Sequence, residues 1–254
     1  MGKFYTVEVK PTIAASIQHA EAFASGELLF DWTEFEVPKG TVKLINTTIM
    51  IRPKGDAGPT ANSFPGQLIF SKTNTQSLGT PGANPVNIPS NDFLGMMQWP
   101  DQGSVDSHNG TWVITAPAGG DTDRGGNGII MTPTEKGANV GYSKMYLGAF
   151  AVGAFTFESI NAIAEAGAAE AASTQVITMD GTSMDVREHF IDGDVLHIGT
   201  SVGSPAADSL IGTVASADSA TQITLDAVSP TALVDGDILY NIHPIRVILQ
   251  FECS

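Results

Sequence analysis

Asp192-Gly193-Asp194-Val195-Leu196 is echoed further along the chain by Asp235-Gly236-Asp237-Ile238-Leu239, and this repetition constrains the fold more than any other feature. An Asp-Gly-Asp sequence closes a tight turn, because glycine takes a positive φ without steric cost. Each turn leads into a short apolar run, and Val176–Met179, Leu210–Val214 and Gln222–Leu225 supply three more such runs. Five short strands between Gln175 and Tyr240 predict a small β-barrel. Directly after it, Pro244–Phe251 reads as another strand, too apolar for a loose tail. The expected architecture is a larger β domain interrupted by this module and completed by the last strand. Residues 1–160 with 241–254 form the body, 161–174 a linker or short helix, and 175–240 the inserted module.

The body carries the same signature. Phe4–Val9, Leu28–Val37, Thr41–Arg52, Gln67–Ser71, Thr111–Thr115, Gly128–Thr132 and Met145–Phe157 are β-branched, aromatic or alternating runs bounded by Pro and Gly, the pattern of strands. With the terminal strand they number about eight, which predicts an all-β, jelly-roll-like β-sandwich. In Leu28–Val37 strict alternation puts Phe30, Trp32 and Glu34 on one face, and Asp31, Thr33 and Phe35 on the other. The glycine-spaced run after Met145 predicts a central, bent strand. Thr12–Ser25 reads as a short helix or an irregular arm, and Ser159–Ala172 as a short helix or a hinge. From Thr73 to Gly110 periodicity is lost, yet Ile88, Phe93, Leu94, Met96, Met97 and Trp99 crowd into a short span. Disordered segments are poor in such residues. Either this cluster folds back on its own domain, or it is an arm that packs on a neighbour, and these six are the candidate interface residues.

Charge narrows the partners. Twelve Lys and Arg stand against 27 Asp and Glu, a net charge of -15. Nucleic-acid binding rests on cation contacts with phosphates, so it is not expected. From Glu158 to Tyr240 one base, Arg187, faces 13 acids, whereas up to Lys144 there are 10 bases and 13 acids. The acidic lobe is expected to face solvent, leaving a nearly neutral body free to pack against a partner. Cys253 is the single cysteine, which excludes an intrachain disulfide or a thiolate cluster. No membrane span and no signal peptide is read in the sequence, so synthesis in a cytoplasm is expected.

Signals for chemistry are sparse. Gly199-Thr200-Ser201-Val202-Gly203 matches the nucleophile-elbow pattern, but Ser204-Pro205 follows where that motif needs a helix. Asp121, Asp123 and Asn127 place oxygen ligands at calcium-loop spacing without the closing bidentate Glu, and they are the candidate metal ligands. Glu34 and Glu36 share a strand face, as a glycosidase pair does. The histidines at 19, 108, 189, 197 and 243 form no ligand spacing. No cofactor motif is present, and no cofactor is expected.

The phrasing Asp192-Gly193-Asp194-Val195, Ile211-Gly212-Thr213-Val214, Thr221-Gln222-Ile223-Thr224-Leu225-Asp226 and Asp235-Gly236-Asp237-Ile238 resembles small β modules of tailed-bacteriophage virion proteins. The cysteine-poor β body with long Pro/Asn/Gly arms is similar in style to phage capsid decoration, or cement, proteins. The resemblance implies a non-enzymatic protein at the capsid surface of the virion, made in the host cytoplasm. It further implies binding to the major capsid protein, often as a trimer, and clamping of neighbouring coat subunits. A second reading is a tail or adhesion module in which Trp32, Trp99 or Trp112 stacks on a glycan. A third is a hydrolase using Ser201 or the Glu34/Glu36 pair.

Overall fold

The computed structural model describes residues 3–20, 22–52, 64–99, 105–106, 112–117, 129–157, 169–180, 185–200 and 206–253. Its architecture is all-β. Eight strands of six residues or more make up the body: β1 (Lys3–Val9), β3 (Leu28–Pro38), β4 (Val42–Ile51), β5 (Gly66–Ser71), β6 (Phe93–Trp99), β8 (Trp112–Pro117), β11 (Tyr142–Ala151) and β18 (Ile245–Cys253). Shorter pieces between them are β2 (Ala22–Phe23), β7 (Val105–Asp106), β9 (Ile129–Met131), β10 (Glu135–Lys136) and β12 (Phe155–Thr156). One sheet runs β1-β18-β4-β8-β7, with β9 also on β4, and the other runs β10-β11-β5-β6, with β3 also on β11.

Counting only the eight long strands along the chain, one layer is ordered first, eighth, third, sixth and the other second, seventh, fourth, fifth. This is the strand order of a jelly roll, two antiparallel layers wound from Greek keys. The layers meet at both sides: the Tyr5 ring of β1 lies 5.8 Å from the tilted Tyr142 ring of β11, Phe35 of β3 stacks at 6.3 Å on Phe251 of β18, and Gly95 of β6 faces Ile129 of β9. Between them lie buried side chains such as Leu44, Ile49, Leu68, Leu147, Val247 and Leu249. Gly66 in β5 lies against the Trp99 indole, and any Cβ there would overlap the ring.

β11 is central, as its apolar sequence predicts, and its pairing with β3 shifts register between Leu147 and Ala149. That bulge breaks the alternation expected in β3. Phe30 and Phe35 therefore both belong to the main core, 1% and 5% exposed, while Trp32 packs on the opposite side against Leu28, Ile69, Leu78 and Phe150. The expectation that Phe30 and Trp32 share a face is corrected by this insertion, the first of two register shifts along the pair.

The Thr12–Ser25 stretch, in the connection from β1 to β3, holds α1 (Ala15–Ala20). Most of Ser159–Ala172 lies outside the described residues. The connection from β11 to β18 holds β13 (Val176–Thr178), α2 (Val186–His189), β14 (Val195–Thr200), β15 (Leu210–Ala217), β16 (Gln222–Leu225) and β17 (Ile238–Asn241). These five strands pair in the order β13-β16-β15-β14-β17. Backbone bonds Glu170 N to Leu233 O and Ser229 N to Thr174 O tie the segment before β13 to the connection between β16 and β17. The hydrophobic core is continuous from the sandwich into this sheet.

Both Asp-Gly-Asp turns have the same build. Gly193 and Gly236 sit at φ 84 and 89. In each, the last Asp accepts from the backbone N–H three residues earlier: Ile191 N to Asp194 at 3.0 Å and Val234 N to Asp237 at 2.8 Å. Asp185 caps α2 by accepting from Arg187 N at 3.0 Å.

Candidate functional site

The outer face of the β3-β11-β5-β6 sheet is divided. Towards one end it carries charge: Lys144 donates to Glu34 at 2.8 Å, and Tyr146 donates to Glu135 at 2.6 Å. Glu36 holds the loop before β11, accepting from Ala138 N and, at 2.6 Å, from Asn139 Nδ2. The Asn139 bond, then those from the backbone, keep the Glu36 carboxyl below its ordinary range. Burial, then the bond to Glu135, pushes the Tyr146 phenol up. Glu34 and Glu36 are thus partnered within the sheet's own charge pattern, and the pair considered as a glycosidase couple has separate structural roles.

The other half of this face is apolar and is covered by the connection between β5 and β6. Asp31 at the β3 bulge accepts from Leu78 N at 2.8 Å and Ser77 Oγ at 2.6 Å. The Trp32 indole N–H donates to Gln76 O at 3.1 Å. Asn91, buried, accepts from Gln76 N and donates to Gln76 O and Asn87 O, at 3.0–3.1 Å. Leu78 packs directly on the strand because residue 148 is glycine; a Cβ there would lie 2.6 Å from Leu78. Of the two readings for the segment from Thr73, the described part through Trp99 folds back on its own domain.

This cover leaves a groove of about 480 Å³ between itself, β5, β6 and the Ser25-Gly26 turn. The volume falls within the roughly 300–1,000 Å³ span of ligand sites. Ile69, Ile88, Phe93, Met96 and Phe150 supply its apolar lining, and Ser25 and Gln67 its polar side chains. Ser25 Oγ already donates to Val152 O at 2.6 Å. No charged residue lines it, so the groove suits apolar side chains and offers no acid–base pair.

The six predicted interface residues divide. Phe93 and Met96 are 42% and 51% exposed at the groove. Ile88 and Leu94 are half-buried. Met97 and Trp99 are a correction: they face the core of their own chain, 1% and 0% exposed, and the Trp99 indole donates to Phe64 O at 2.8 Å. The pleat explains it, since alternate residues of an edge strand point to opposite sides. The same burial removes Trp99 from any glycan-stacking role. Asp121, Asp123, Asn127 and Ser201 lie outside the described residues, as does the Trp112 side chain. Among the described residues no three His, Cys, Asp or Glu side chains converge to hold a metal, and no helix is long and apolar enough to cross a membrane. His19 lies 3.0 Å from the Tyr240 hydroxyl, His197 2.8 Å from Asp208 O, and His243 3.1 Å from Pro11 O.

A second polar assembly escaped sequence reasoning altogether. Asp194, fully buried, is approached by Arg52 at the end of β4 and by Arg246 of β18 at 3.2 Å. Burial lowers the Arg52 pKa, opposed by Asp194. Arg246 also lies 3.6 Å from Glu8. Residues 142 and 52 positions apart meet here, and no local pattern signals that.

The folded chain is thus an antiparallel jelly roll with an inserted β sheet and an apolar groove on one outer face. No protein-family model matches it, and no curated protein does. Among solved structures, a subviral particle of infectious bursal disease virus VP2 is similar at 9% identity and a TM-score of 0.20, covering 99% of this chain and 41% of that one. The Gt strain of the same virus gives 8%, 0.16, 99% and 42%. This chain spans about two fifths of the length of those proteins.

Proposed function

We propose that this chain is a non-enzymatic structural protein of a virion, a decoration protein that binds the outer surface of a capsid and stabilises the shell. The observation that carries the reading is the exposed apolar pair Phe93 and Met96 lining an uncharged groove with Ile69, Ile88 and Phe150. A contiguous apolar surface rimmed by polar residues marks an interaction site. The fold adds an analogy: double-sheet jelly rolls serve as viral capsid and lectin domains, though a fold alone does not assign a role. In this reading the groove seats apolar side chains of the major capsid protein, the acid-rich inserted sheet faces outward, and the protein acts as a homo-oligomer, with a trimer favoured.

Co-sedimentation with assembled capsids, combined with mass photometry of the free protein, tests it. Wild type is expected to pellet with capsids and to be oligomeric. Phe93→Asp and Met96→Lys are expected to lose capsid binding while melting within a few degrees of wild type, since exposed substitutions cost little. A strict monomer that stays in the supernatant would sink the proposal.

A further inference from the structure

The connection between β11 and β18 could have carried its sheet on a loose tether, but the sheet is packed against the sandwich. Two features hold it. On one side α1 lies against β14 and β17. Gln18 Nε2 donates to Asn241 O at 2.9 Å, and Ser16 N donates to the Asp208 carboxylate at 2.8 Å. On the other side stands the Arg52–Asp194–Arg246 cluster.

The cluster is built asymmetrically. Both guanidiniums belong to the sandwich, on neighbouring strands: Arg246 pairs with Met50, and Arg52 N donates to Pro244 O at 2.9 Å. Their side chains are only 17% and 16% exposed, and that of Asp194 is 0% exposed. Two like charges held side by side away from water are unfavourable unless a carboxylate lies between them. The sandwich therefore ends in a cation pair that its own Glu8, exposed and 3.6 Å from Arg246, offsets only in part, and the buried carboxylate between the two guanidiniums comes from the first Asp-Gly-Asp turn of the inserted sheet.

We propose that Asp194 is an ionic latch that gives the inserted sheet one docked position on the jelly roll. When the carboxylate is seated, the pair is compensated and the sheet is fixed. When the sheet lifts away, two adjacent guanidiniums lose their shared partner, so partly lifted positions are disfavoured. Removing one partner of a buried ion pair leaves an uncompensated charge, which is far more damaging than replacing the pair by apolar groups.

Hydrogen exchange on Asp194→Asn, Arg52→Met and the double variant separates this latch from the carboxylate's local task of bonding Ile191 N. Asp194→Asn is expected to lower amide protection in β14, β15 and β17 by about 100-fold or more, the scale of a broken buried pair. Adding Arg52→Met removes the excess guanidinium and is expected to recover at least about tenfold of that protection. If Asp194→Asn leaves protection within about threefold of wild type, a change no larger than an ordinary surface substitution gives, the latch is refuted. It is equally refuted if Arg52→Met brings no recovery, because the loss then belongs to the turn. Should Asp194→Asn not fold, folding of the double variant supports the latch and its failure to fold overturns it.

Discussion

Single side chains in this protein settle where loops lie. Glu36 was legible in the sequence only as one of two acids on a strand face. Its task became visible when Ala138 and Asn139, about a hundred positions away, were found bonded to it. Because those bonds hold its folded pKa below the ordinary 4.5, its stabilising contribution is present above that value and is lost as pH falls through the lowered one. The melting temperature of Glu36→Gln is therefore expected to fall below that of wild type at neutral pH. The gap should close on acidification past the ordinary carboxylate range. Paired thermal melts across pH check this, and a gap that widened in acid would contradict it. Phe30 teaches the complementary lesson. Its hydrophobicity foretold burial, but its side of the sheet depended on a bulge that strict alternation cannot foresee.

At the scale of elements, strands were readable and connections were not. Alternating, β-branched or strongly apolar runs bounded by turn residues located β1, β3, β4, β5 and β18, because a strand with a buried face selects such residues. The connection between β5 and β6 imposes no period. Its order comes from Asp31 and Asn91 reaching backbone groups far along the chain, so the groove it forms was invisible beyond its apolar content. Asn91→Ala removes the partner of Gln76 N and two donors. Leaving such groups unpaired costs about 1–3 kcal/mol. Limited proteolysis is expected to cut between residues 72 and 92 at least several times faster in this variant, with cleavage elsewhere unchanged. Equal rates would show that the cover is held by Leu78 packing alone.

For the molecule as a whole, the charge tally and the core pull in different directions. Net charge is -15, with the excess concentrated between Glu158 and Tyr240, and self-repulsion of that kind opposes compactness. The continuous core resists it. Calorimetry is expected to show one cooperative transition, rising in temperature as salt is added, since the Debye length shrinks to about 8 Å at 0.15 M. The buried latch, screened far less, should contribute little to that rise. Two separate transitions in wild type at all salt concentrations would contradict the single core. The repeated Asp-Gly-Asp turns read in the sequence as the punctuation of one inserted unit. Both are turns of the same build, but one of them also joins that unit to the body.

The position of β18 sets the timing of biogenesis. It lies between β1 and β4, bonded to both along its length, and it is made only after the whole inserted sheet. At the usual 5–20 residues per second, β1 and β4 wait for more than ten seconds or so in the nascent chain without the strand that joins them. Non-local pairing of this kind folds slowly and exposes strand edges meanwhile. A ribosome stalled before residue 245 would therefore display an open sheet, and chaperone demand in the producing cell should peak there.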